Sequence, residues 1–491
     1  MLNSKRKLME KTTSILDSYP LYEAVIGIEV HVQLSTKSKI FCTCANQSSQ
    51  EPNKNICEVC AGYPGSLPVL NKQVVNYAIL AGLATHSSIT KCCGFARKHY
   101  FYPDLPKGYQ ITQDNDPICC NGYIPIRLED GSVKKIRISR IHMEEDAGKN
   151  MHVGDKTYVD LNRAGTPLLE IVTCPDIADA YEAKAYLKAL HSLVRYLHIS
   201  SANMEEGAFR ADTNISVRKK DSDKLGTRCE LKNINSFKYI SDAIEYEIAR
   251  QIGLIESGKS VTQQTLLWDS KQKKTFPMRS KEDAADYRYL QEPDLPLLEL
   301  TDEWIANIKD IMPELPYEKF DRFCKEYRLS PYEAEILVED ISLARYFEES
   351  RKHSSSKQII NWILRDVLGY LKENNISLIE LKVSPEKLSS LIELIEKNVI
   401  NSSVAKEVFE IIAQTGKDPV DIVKEKGLEQ IGSADELEPI VKKVIQDNVH
   451  EVERYKSGEK KLLGFFVGQI MKQTKGKGNP QLINELLKKY L

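Results

Sequence analysis

The sequence predicts an α+β domain of nearly three hundred residues, followed by a region that is helical to the end of the chain. Ile26–Leu34 alternates apolar and polar residues, which is the pattern of a strand with one buried face. Asp179–Leu197 repeats apolar residues at helical spacing, so strands and helices are interleaved. From Asp302 onward the pattern is helical throughout. We therefore expect an α+β fold with all-α domains behind it.

Further alternating and helical segments complete the predicted α+β region. Turn-forming residues such as Glu129-Asp130-Gly131 separate the alternating segments, as expected between strands. The additional predicted strands are Ile124–Leu128, Lys134–Ile141, Tyr158–Leu161 and Phe209–Arg218, and the second predicted helix is Tyr239–Ile255.

Helix-start signals support the all-α prediction for the rest of the chain. Ser330-Pro331-x-Glu333 is a capping box with proline at the first helical position, and Ser384-Pro385 repeats the cap and the proline. A break is predicted near Gly416–Pro419, and Asn479-Pro480 begins the last helix. The segment before that helix has an apolar stripe typical of a core face.

Composition limits the class of protein and its compartment. A chain of 491 residues with 42% hydrophobic residues is expected to form about two to four globular domains. Its 68 lysines and arginines nearly balance 70 aspartates and glutamates, which excludes a basic field over the whole chain. Because the sequence has neither a bilayer-length apolar run nor the apolar segment of a signal peptide, we expect a bacterial cytoplasmic protein with an N-terminal extension, 1–21.

Four of the eleven cysteines have the spacing of a metal site. One residue separates Cys42 from Cys44, two separate Cys57 from Cys60, and twelve lie between the pairs. Each short pair can present both sulfurs to one ion, so the sequence predicts a structural zinc knuckle at 42–60. The alternative is a set of free buried thiols, which is our interpretation of the other cysteines.

Polar side chains interrupt segments that otherwise have the composition of buried strands. Glu29, His31 and Gln33 share one face of the predicted first strand, opposite its apolar residues. A second polar cluster, RIHMEEDAGKN at Arg140–Asn150, contains three consecutive carboxylates. In isolation such a run is usually a solvated turn.

Two further observations favour a binding site over a solvated turn. Met143-Glu144-Glu145 is echoed by Met204-Glu205-Glu206, and Arg210 and Asp212 share one face of another alternating segment. Because uncompensated buried carboxylates are costly, we interpret these polar faces as a site for cations or phosphates. Carboxylate ligands favour magnesium or manganese as the bound ion. An imidazole is an unusual ligand for magnesium, so His31 slightly favours manganese, or it orients the ligands without binding the ion itself.

Eight segments of the sequence are distinctive. They are IGIEVHVQL, KHYFYPDLPKGYQITQ, RIHMEEDAGK, VDLNRAGTPLLEIV, MEEGAFRADTNISVR, ELKNINSFKYI, DYRYLQEPDLP and LGFFVGQIMK. In this order, from about Tyr22 to the C-terminus, they resemble the B-subunit family of bacterial aspartyl/glutamyl-tRNA amidotransferases.

The resemblance implies a fold, a reaction and a domain order. The catalytic domain, 22–300, is expected to have the glutamine synthetase and guanidino kinase fold, followed by a helical domain, 301–416, and a tRNA-binding tail, 417–491. In the family's reaction, ATP phosphorylates the side-chain carboxylate of glutamate on the glutamine tRNA, or of aspartate on the asparagine tRNA. Ammonia then replaces the phosphate. The substrate carboxylate is already ionised at neutral pH, so phosphorylation needs charge neutralisation and positioning but no general base.

The resemblance also implies site residues in the catalytic domain. The expected catalytic and magnesium-binding residues are Glu29, His31, Glu144 and Glu145. Further candidates for cofactor binding are Asp212 and Glu230.

Lysines are the candidate contacts to phosphates. Lys98 and Lys107 flank an aromatic run and could contact ATP or the acceptor stem of tRNA, with solvated lysines as the alternative. The loop between the last two helices contains Lys472, Lys475 and Lys477, which resemble tRNA contacts of the family's tail domain.

Ammonia is expected to come from another chain, because nothing in the sequence resembles a glutaminase. The resemblance implies three partners, which are the family's glutaminase (its A subunit), the small C subunit and a mischarged tRNA. It implies no membrane, and it implies ATP, magnesium or manganese, and structural zinc as cofactors. Two other classes of protein stay open. One is a metal-dependent phosphotransferase acting on free amino acids, and the other is a non-catalytic RNA-binding scaffold.

Overall fold

The computed structural model describes residues 14–47, 51–279, 287–430, 434–474 and 476–491. These residues form two compact units, one ending at Arg322 and the other beginning at Phe323. The first contains a large sheet with helices and the second is helical, which confirms the α+β prediction. The boundaries predicted at 21/22, 300/301 and 416/417 stay predictions. Residues 1–13 of the predicted extension, and Lys475, lie outside the described residues.

The described strands all lie in the first unit, and they include each of the five segments that alternate in the sequence. They are β1 (Tyr22–Gln33), β2 (Ser88–Ile89), β3 (Cys92–Cys93), β4 (Ala96–His99), β5 (Tyr109–Thr112), β6 (Cys119–Arg127), β7 (Val133–Glu145), β8 (Lys149–Val153), β9 (Lys156–Asp160), β10 (Pro167–Thr173), β11 (Phe209–Lys219), β12 (Cys229–Ile234), β13 (Gln264–Asp269), β14 (Lys274–Arg279), β15 (Leu290–Gln291) and β16 (Leu298–Glu299).

One twelve-stranded sheet organises the first unit. Its main order is β14-β13-β12-β11-β1-β10-β7-β5-β4-β15, and β6 pairs with both β7 and β2. Neighbouring strands of this sheet are antiparallel in the described residues, except for the parallel pair β12 and β13. Segments far apart in sequence, such as β1 and β11, therefore lie side by side at the centre.

Three helices pack against the apolar face of this sheet: α1 (Lys72–Ala84), α2 (Ala180–Tyr196) and α3 (Phe237–Glu256). Helix α2 begins where the Asp179 side chain accepts a hydrogen bond from a backbone N–H of the first turn. Along β1 the even-numbered side chains are buried in this core and the odd-numbered ones are partly exposed, as the sequence predicts. The polar face of the sheet lies opposite these helices and is therefore available for a binding site.

The remaining described helices follow the sheet, and the predicted starts at Ser330, Ser384 and Asn479 are confirmed by their capping hydrogen bonds. They are α4 (Asp302–Asp310), α5 (Pro316–Glu326), α6 (Pro331–Glu339), α7 (Ile341–His353), α8 (Gln358–Trp362), α9 (Leu368–Asn374), α10 (Pro385–Glu396), α11 (Ser402–Thr415), α12 (Pro419–Glu425), α13 (Ala434–Asp447), α14 (Val449–Lys456), α15 (Leu463–Gln473) and α16 (Pro480–Tyr490).

The end of the second unit has a core of its own. Phe466 and Ile470 of α15, from the predicted apolar stripe, are fully buried against α13 and α16. Asn401 donates a side-chain hydrogen bond to the carbonyl oxygen of Gly476, so this core is tied to the helices before it. Within the described part of the chain, no helix combines the length and apolar character that crossing a bilayer requires.

The echo between Met143–Glu145 and Met204–Glu206 does not reflect equivalent structures. The first stretch ends strand β7 and is buried, whereas the second forms a turn. Glu205 and Glu206 are exposed there, with their backbone N–H groups donating to the Asn203 side chain.

Helix α2 provides a test of the core. Tyr186 is fully buried, and its hydroxyl has no hydrogen-bond partner among the described residues. We expect Tyr186→Phe to leave the free energy of unfolding unchanged or to raise it by about 1 kcal/mol, because it removes an unsatisfied buried group. Tyr186→Ala should lower it by about 3–5 kcal/mol through the cavity. Denaturant unfolding measures both, and a loss above about 1 kcal/mol for the phenylalanine variant would contradict the expectation.

Candidate functional site

The register of three neighbouring strands brings two histidines and two glutamates together on the polar face. His31 of β1 lies directly opposite Glu170 of β10, and Glu170 lies opposite His142 of β7. Glu144 is two residues beyond His142, so its side chain points to the same face. These four residues, called here the His–Glu cluster, come from three strands that are distant in the sequence.

Both carboxylates of the His–Glu cluster are in contact with imidazoles. His31 Nε2 lies 3.3 Å from Glu144 Oε1 and 3.4 Å from Glu170 Oε2. His142 Nε2 lies 3.1 Å from Glu170 Oε2. Glu144 is 2% exposed and Glu170 8% exposed, so water contributes little to the stabilisation of either charge.

Hydrogen bonds to the carboxylates override the effect of burial on the histidines. Burial alone would lower the pKa of each imidazole, but bonds to Glu144 and Glu170 raise the pKa of His31 to about 10 and that of His142 to about 9. For Glu144, burial raises the pKa, and the bonds to His142 and His31 outweigh it and lower the pKa to about 2. Glu170 shifts in the same direction for the same reason.

The chemistry of this donor set fits a divalent cation. One nitrogen of His31 and one oxygen from each of Glu144 and Glu170 lie within 4.8 Å of one another. Two buried carboxylates and an imidazole are ligands that magnesium or manganese accepts, and the protons on the histidines are the charge that a cation would replace. His142 Nδ1 is buried without a partner among the described residues.

A second acidic group, formed by Glu29, Asp212 and Glu230, lies beside the His–Glu cluster, on the β11 side of β1. Lys232 Nζ is 3.0 Å from Asp212 Oδ2 and 3.0 Å from Glu230 Oε1, so one lysine neutralises part of the charge of both predicted residues. Glu29 accepts a hydrogen bond of 3.0 Å from Asn214. Burial raises the pKa of Glu29, and Glu170, Glu230 and Asp212 raise it further.

The structure does not bring Glu145 together with the other three predicted ligands. Successive side chains of a strand point to opposite faces, so Glu145 lies on the far side of β7 from Glu144. Its carboxylate accepts hydrogen bonds from Lys107 Nζ and from the backbone N–H of Ile111. Lys107 thus pairs with a predicted metal ligand.

The second predicted phosphate contact lies near the cluster. Lys98 Nζ is 4.8 Å from the centre of the Tyr287 ring. Burial lowers the pKa of Lys98, but the charges of Glu144, Tyr289, Glu170 and Tyr287, in decreasing order of effect, outweigh it and raise the pKa above its usual value. Lys98 therefore stays protonated beside the His–Glu cluster.

A cavity of about 520 Å³ opens on this polar face. His31, Asp212 and Lys232 line it, together with Arg210 and the exposed turn that contains Glu205. It brings residues from both acidic groups to one space large enough for a substrate group.

The four predicted zinc ligands converge in a separate place. The sulfurs of Cys42, Cys44, Cys57 and Cys60 lie within 4.8 Å of one another. Lys39, which is 0% exposed, donates to Cys60 Sγ at 3.6 Å, so a buried cation faces a group of potential thiolates. Four thiolates without an open position suit a structural metal.

The predicted tRNA contacts are only partly described. Lys472 is exposed at the end of α15, and Lys477 donates a hydrogen bond to the carbonyl oxygen of Gly427. Lys475 lies outside the described residues.

Sequence reasoning did not single out Glu170 or His142 as site residues, and it placed Arg210 on a polar face without giving it a role. Glu170 had a local signal, because it is the one charged residue within the apolar strand Pro167–Thr173. A charge in a strand that is otherwise buried indicates a partner or a ligand. The residues that contact Glu170 depend on which strands pair and in which register, and the sequence does not give this pairing.

Two family models together match most of the chain. A family model described as the GatB/GatE catalytic domain matches residues 24–306, and one described as the GatB domain matches residues 345–491.

Curated relatives match at full length, and they are named as the B subunit of aspartyl/glutamyl-tRNA(Asn/Gln) amidotransferase. That of Persephonella marina is 50% identical over 472 residues, which cover 96% of this chain and 99% of the relative. Those of Thermodesulfovibrio yellowstonii and Geotalea daltonii are 52% and 51% identical, with the same coverage of 96% and 99%. The chain therefore belongs to the B-subunit family of aspartyl/glutamyl-tRNA amidotransferases.

Proposed function

We propose that this chain is the component of a tRNA-dependent amidotransferase that uses ATP to activate the side-chain carboxylate of a mischarged tRNA. The substrates are glutamate on the glutamine tRNA, aspartate on the asparagine tRNA, or both, and the product is the corresponding amide. The observation that carries the proposal is the full-length match to relatives of that name, with the His–Glu cluster at the centre of the matched sheet.

The chemistry of the reaction explains why the site holds charge and has no evident general base. The substrate carboxylate is ionised at neutral pH and can attack a phosphorus atom without losing a proton. Its approach to a polyphosphate is opposed by repulsion between anions, so the protein must supply positive charge and fix the geometry. Lys98, protonated beside Glu144, and Lys232, between Asp212 and Glu230, are placed to provide such charge.

His31, Glu144 and Glu170 are the residues that would hold a magnesium or manganese ion. When bound, such an ion supplies neutralisation of phosphate charge. His142 contacts Glu170 at 3.1 Å, so we assign it to orienting that carboxylate. Glu29, Asp212 and Glu230 form a second set of carboxylates for the nucleotide and its cation. Glu145, the fourth residue predicted to bind the cation, contacts Lys107, so we assign it to orienting that lysine.

Other parts of the proposal rest on the family resemblance. The sheet of residues 22–300 is assigned to the glutamine synthetase and guanidino kinase fold, with a helical domain at 301–416 and a tRNA-binding tail at 417–491. Ammonia comes from the family's glutaminase, its A subunit. The small C subunit is the third partner, and the complex acts in the cytoplasm.

Removing one carboxylate of the His–Glu cluster tests the proposal. We expect Glu144→Gln to lower phosphate release stimulated by glutamyl-tRNA by about a hundredfold or more, because the neutral amide cannot hold the cation. Glu129→Gln, an exposed residue at the β6–β7 turn, is the matched control and should retain full activity. Phosphate release is measured in the assembled complex with ATP and magnesium.

The same assay separates the proposal from the two alternatives. A phosphotransferase for free amino acids would turn over equally fast with free glutamate, and a non-catalytic scaffold would release no phosphate. Either result contradicts the proposed function. Parallel amidation assays with glutamyl-tRNA(Gln) and aspartyl-tRNA(Asn) identify which substrate is used.

Metal analysis of the purified chain tests the zinc knuckle. We expect about one zinc ion per chain, and its loss in Cys57→Ser, because three thiolates leave the tetrahedral site incomplete. Cys92→Ser, an exposed cysteine outside the cluster, should retain zinc. Absence of zinc from the parent protein would refute the assignment.

The salt dependence of tRNA binding tests the tail. We expect the double variant Lys472→Gln, Lys475→Gln to bind tRNA more weakly, with the slope of log affinity against log salt reduced by about 0.7–0.9 per lysine. Lys397→Gln removes an exposed lysine paired with Glu393 and serves as the control. An unchanged slope in the double variant would place tRNA contacts elsewhere.

A further inference from the structure

Besides His31, an arginine and a lysine line the site cavity, and their surroundings differ. Lys232 Nζ contacts two carboxylates at 3.0 Å each, so its charge is largely compensated within the protein. Arg210 contacts one carboxylate closely, with a distance of 3.0 Å from its terminal nitrogen to Asp146 Oδ2. Arg210 Nε is buried without a hydrogen-bond partner among the described residues, so it does not reach the cavity. The donors available to a ligand are the terminal N–H groups of the guanidinium that do not bond Asp146.

The position of Arg210 places these donors beside the cation-binding residues. Arg210 of β11 lies directly opposite His31 of β1, on the polar face. Its side chain is 38% exposed and lines the cavity of about 520 Å³. Asp146, which is 5% exposed, holds it from behind and also accepts a 3.0 Å hydrogen bond from Gln33. The guanidinium is thus fixed in orientation before any ligand enters.

We infer that Arg210 is a catalytic residue that binds the γ-phosphoryl group of ATP during its transfer, and that Asp146 positions it. The inference rests on the proposed function. In that step a carboxylate oxygen of the substrate forms a bond to the γ-phosphorus, while the bond from that phosphorus to the bridging oxygen breaks. ADP leaves with the electron pair. Arg210 transfers no proton and contributes fixed positive charge.

The physical properties of arginine suit this role better than those of the neighbouring lysine. A guanidinium is always protonated and presents donors in a planar fork that matches phosphate oxygens. Charge on the transferred group is spread over its equatorial oxygens, where a preorganised donor is most effective. His31, one of the cation-binding residues, and the guanidinium of Arg210 both line the cavity. We therefore place the γ-phosphoryl group, which carries the most negative charge, next to these two side chains.

Comparison of two nucleotides that differ in the γ-phosphoryl group tests the inference. In the assembled complex with magnesium, we expect Arg210→Gln to weaken binding of the non-hydrolysable analogue AMP-PNP by about tenfold or more, and ADP by less than about twofold. Arg210→Lys should recover part of the loss. Arg218→Gln is the matched control, because Arg218 lies on the same strand and pairs with Glu23 at 2.6 Å.

The kinetic readout separates this inference from the proposed function. We expect Arg210→Gln to lower the kcat of phosphate release, and Asp146→Asn to lower it less, with the same preference for ADP over AMP-PNP. Equal losses for both nucleotides, or a change confined to the KM for glutamyl-tRNA, would overturn the inference while leaving the proposed function intact. A wild-type complex that binds neither nucleotide would overturn the proposed function itself. Thermal melting of each variant shows whether it is folded.

Discussion

The antiparallel register of β1 with its two neighbours is the constraint on which the site depends. It sets His31 opposite both Glu170 and Arg210. The register of β10 with β7 then sets Glu170 opposite His142. A slip of one residue would turn these polar side chains into the helix-packed core and expose the apolar ones. Burial of the alternate residues Ile28, Val30 and Val32, each at 0% exposure, opposes such a slip. The packing of one face therefore fixes the chemistry of the other.

Charge balance explains how so many carboxylates are tolerated on that face. Glu144 and Glu170 are buried, and the two histidines that contact them provide compensating charge. Lys232 does the same for Asp212 and Glu230. A cation that displaces the histidine protons exchanges one compensating charge for another, so binding need not reorganise the sheet. The carboxylates and the cationic side chains of the site already balance one another, so the site is preorganised for ligand binding.

Local patterns in the sequence predicted most of the fold and part of the site. The strand at Ile26–Leu34 and the helix caps depend on neighbouring residues alone, and they are confirmed by the structure. Glu170 was missed because its partners lie on other strands, His142 being 28 positions away and His31 farther still, and one sequence does not state which strands pair. The resemblance implies one ligand set that contains both Glu144 and Glu145, whereas alternation along β7 indicates that these two side chains point to opposite faces.

The cluster of Cys42, Cys44, Cys57 and Cys60 contacts the site through neighbouring residues, although its sulfurs lie apart from the polar face. Gly62, two residues after Cys60, has a φ of +72°, and a Cβ there would lie 2.6 Å from Lys107 Cγ. Lys107 in turn bonds Glu145, the neighbour of Glu144. On the other side, the backbone N–H of Gly165 donates to the carbonyl oxygen of Asp146, and the carbonyl oxygen of Gly165 accepts a hydrogen bond from Ile40. A metal that fixes residues 42–60 would therefore restrain both ends of the acidic stretch, the loop carrying Lys107 and the carboxylate behind Arg210.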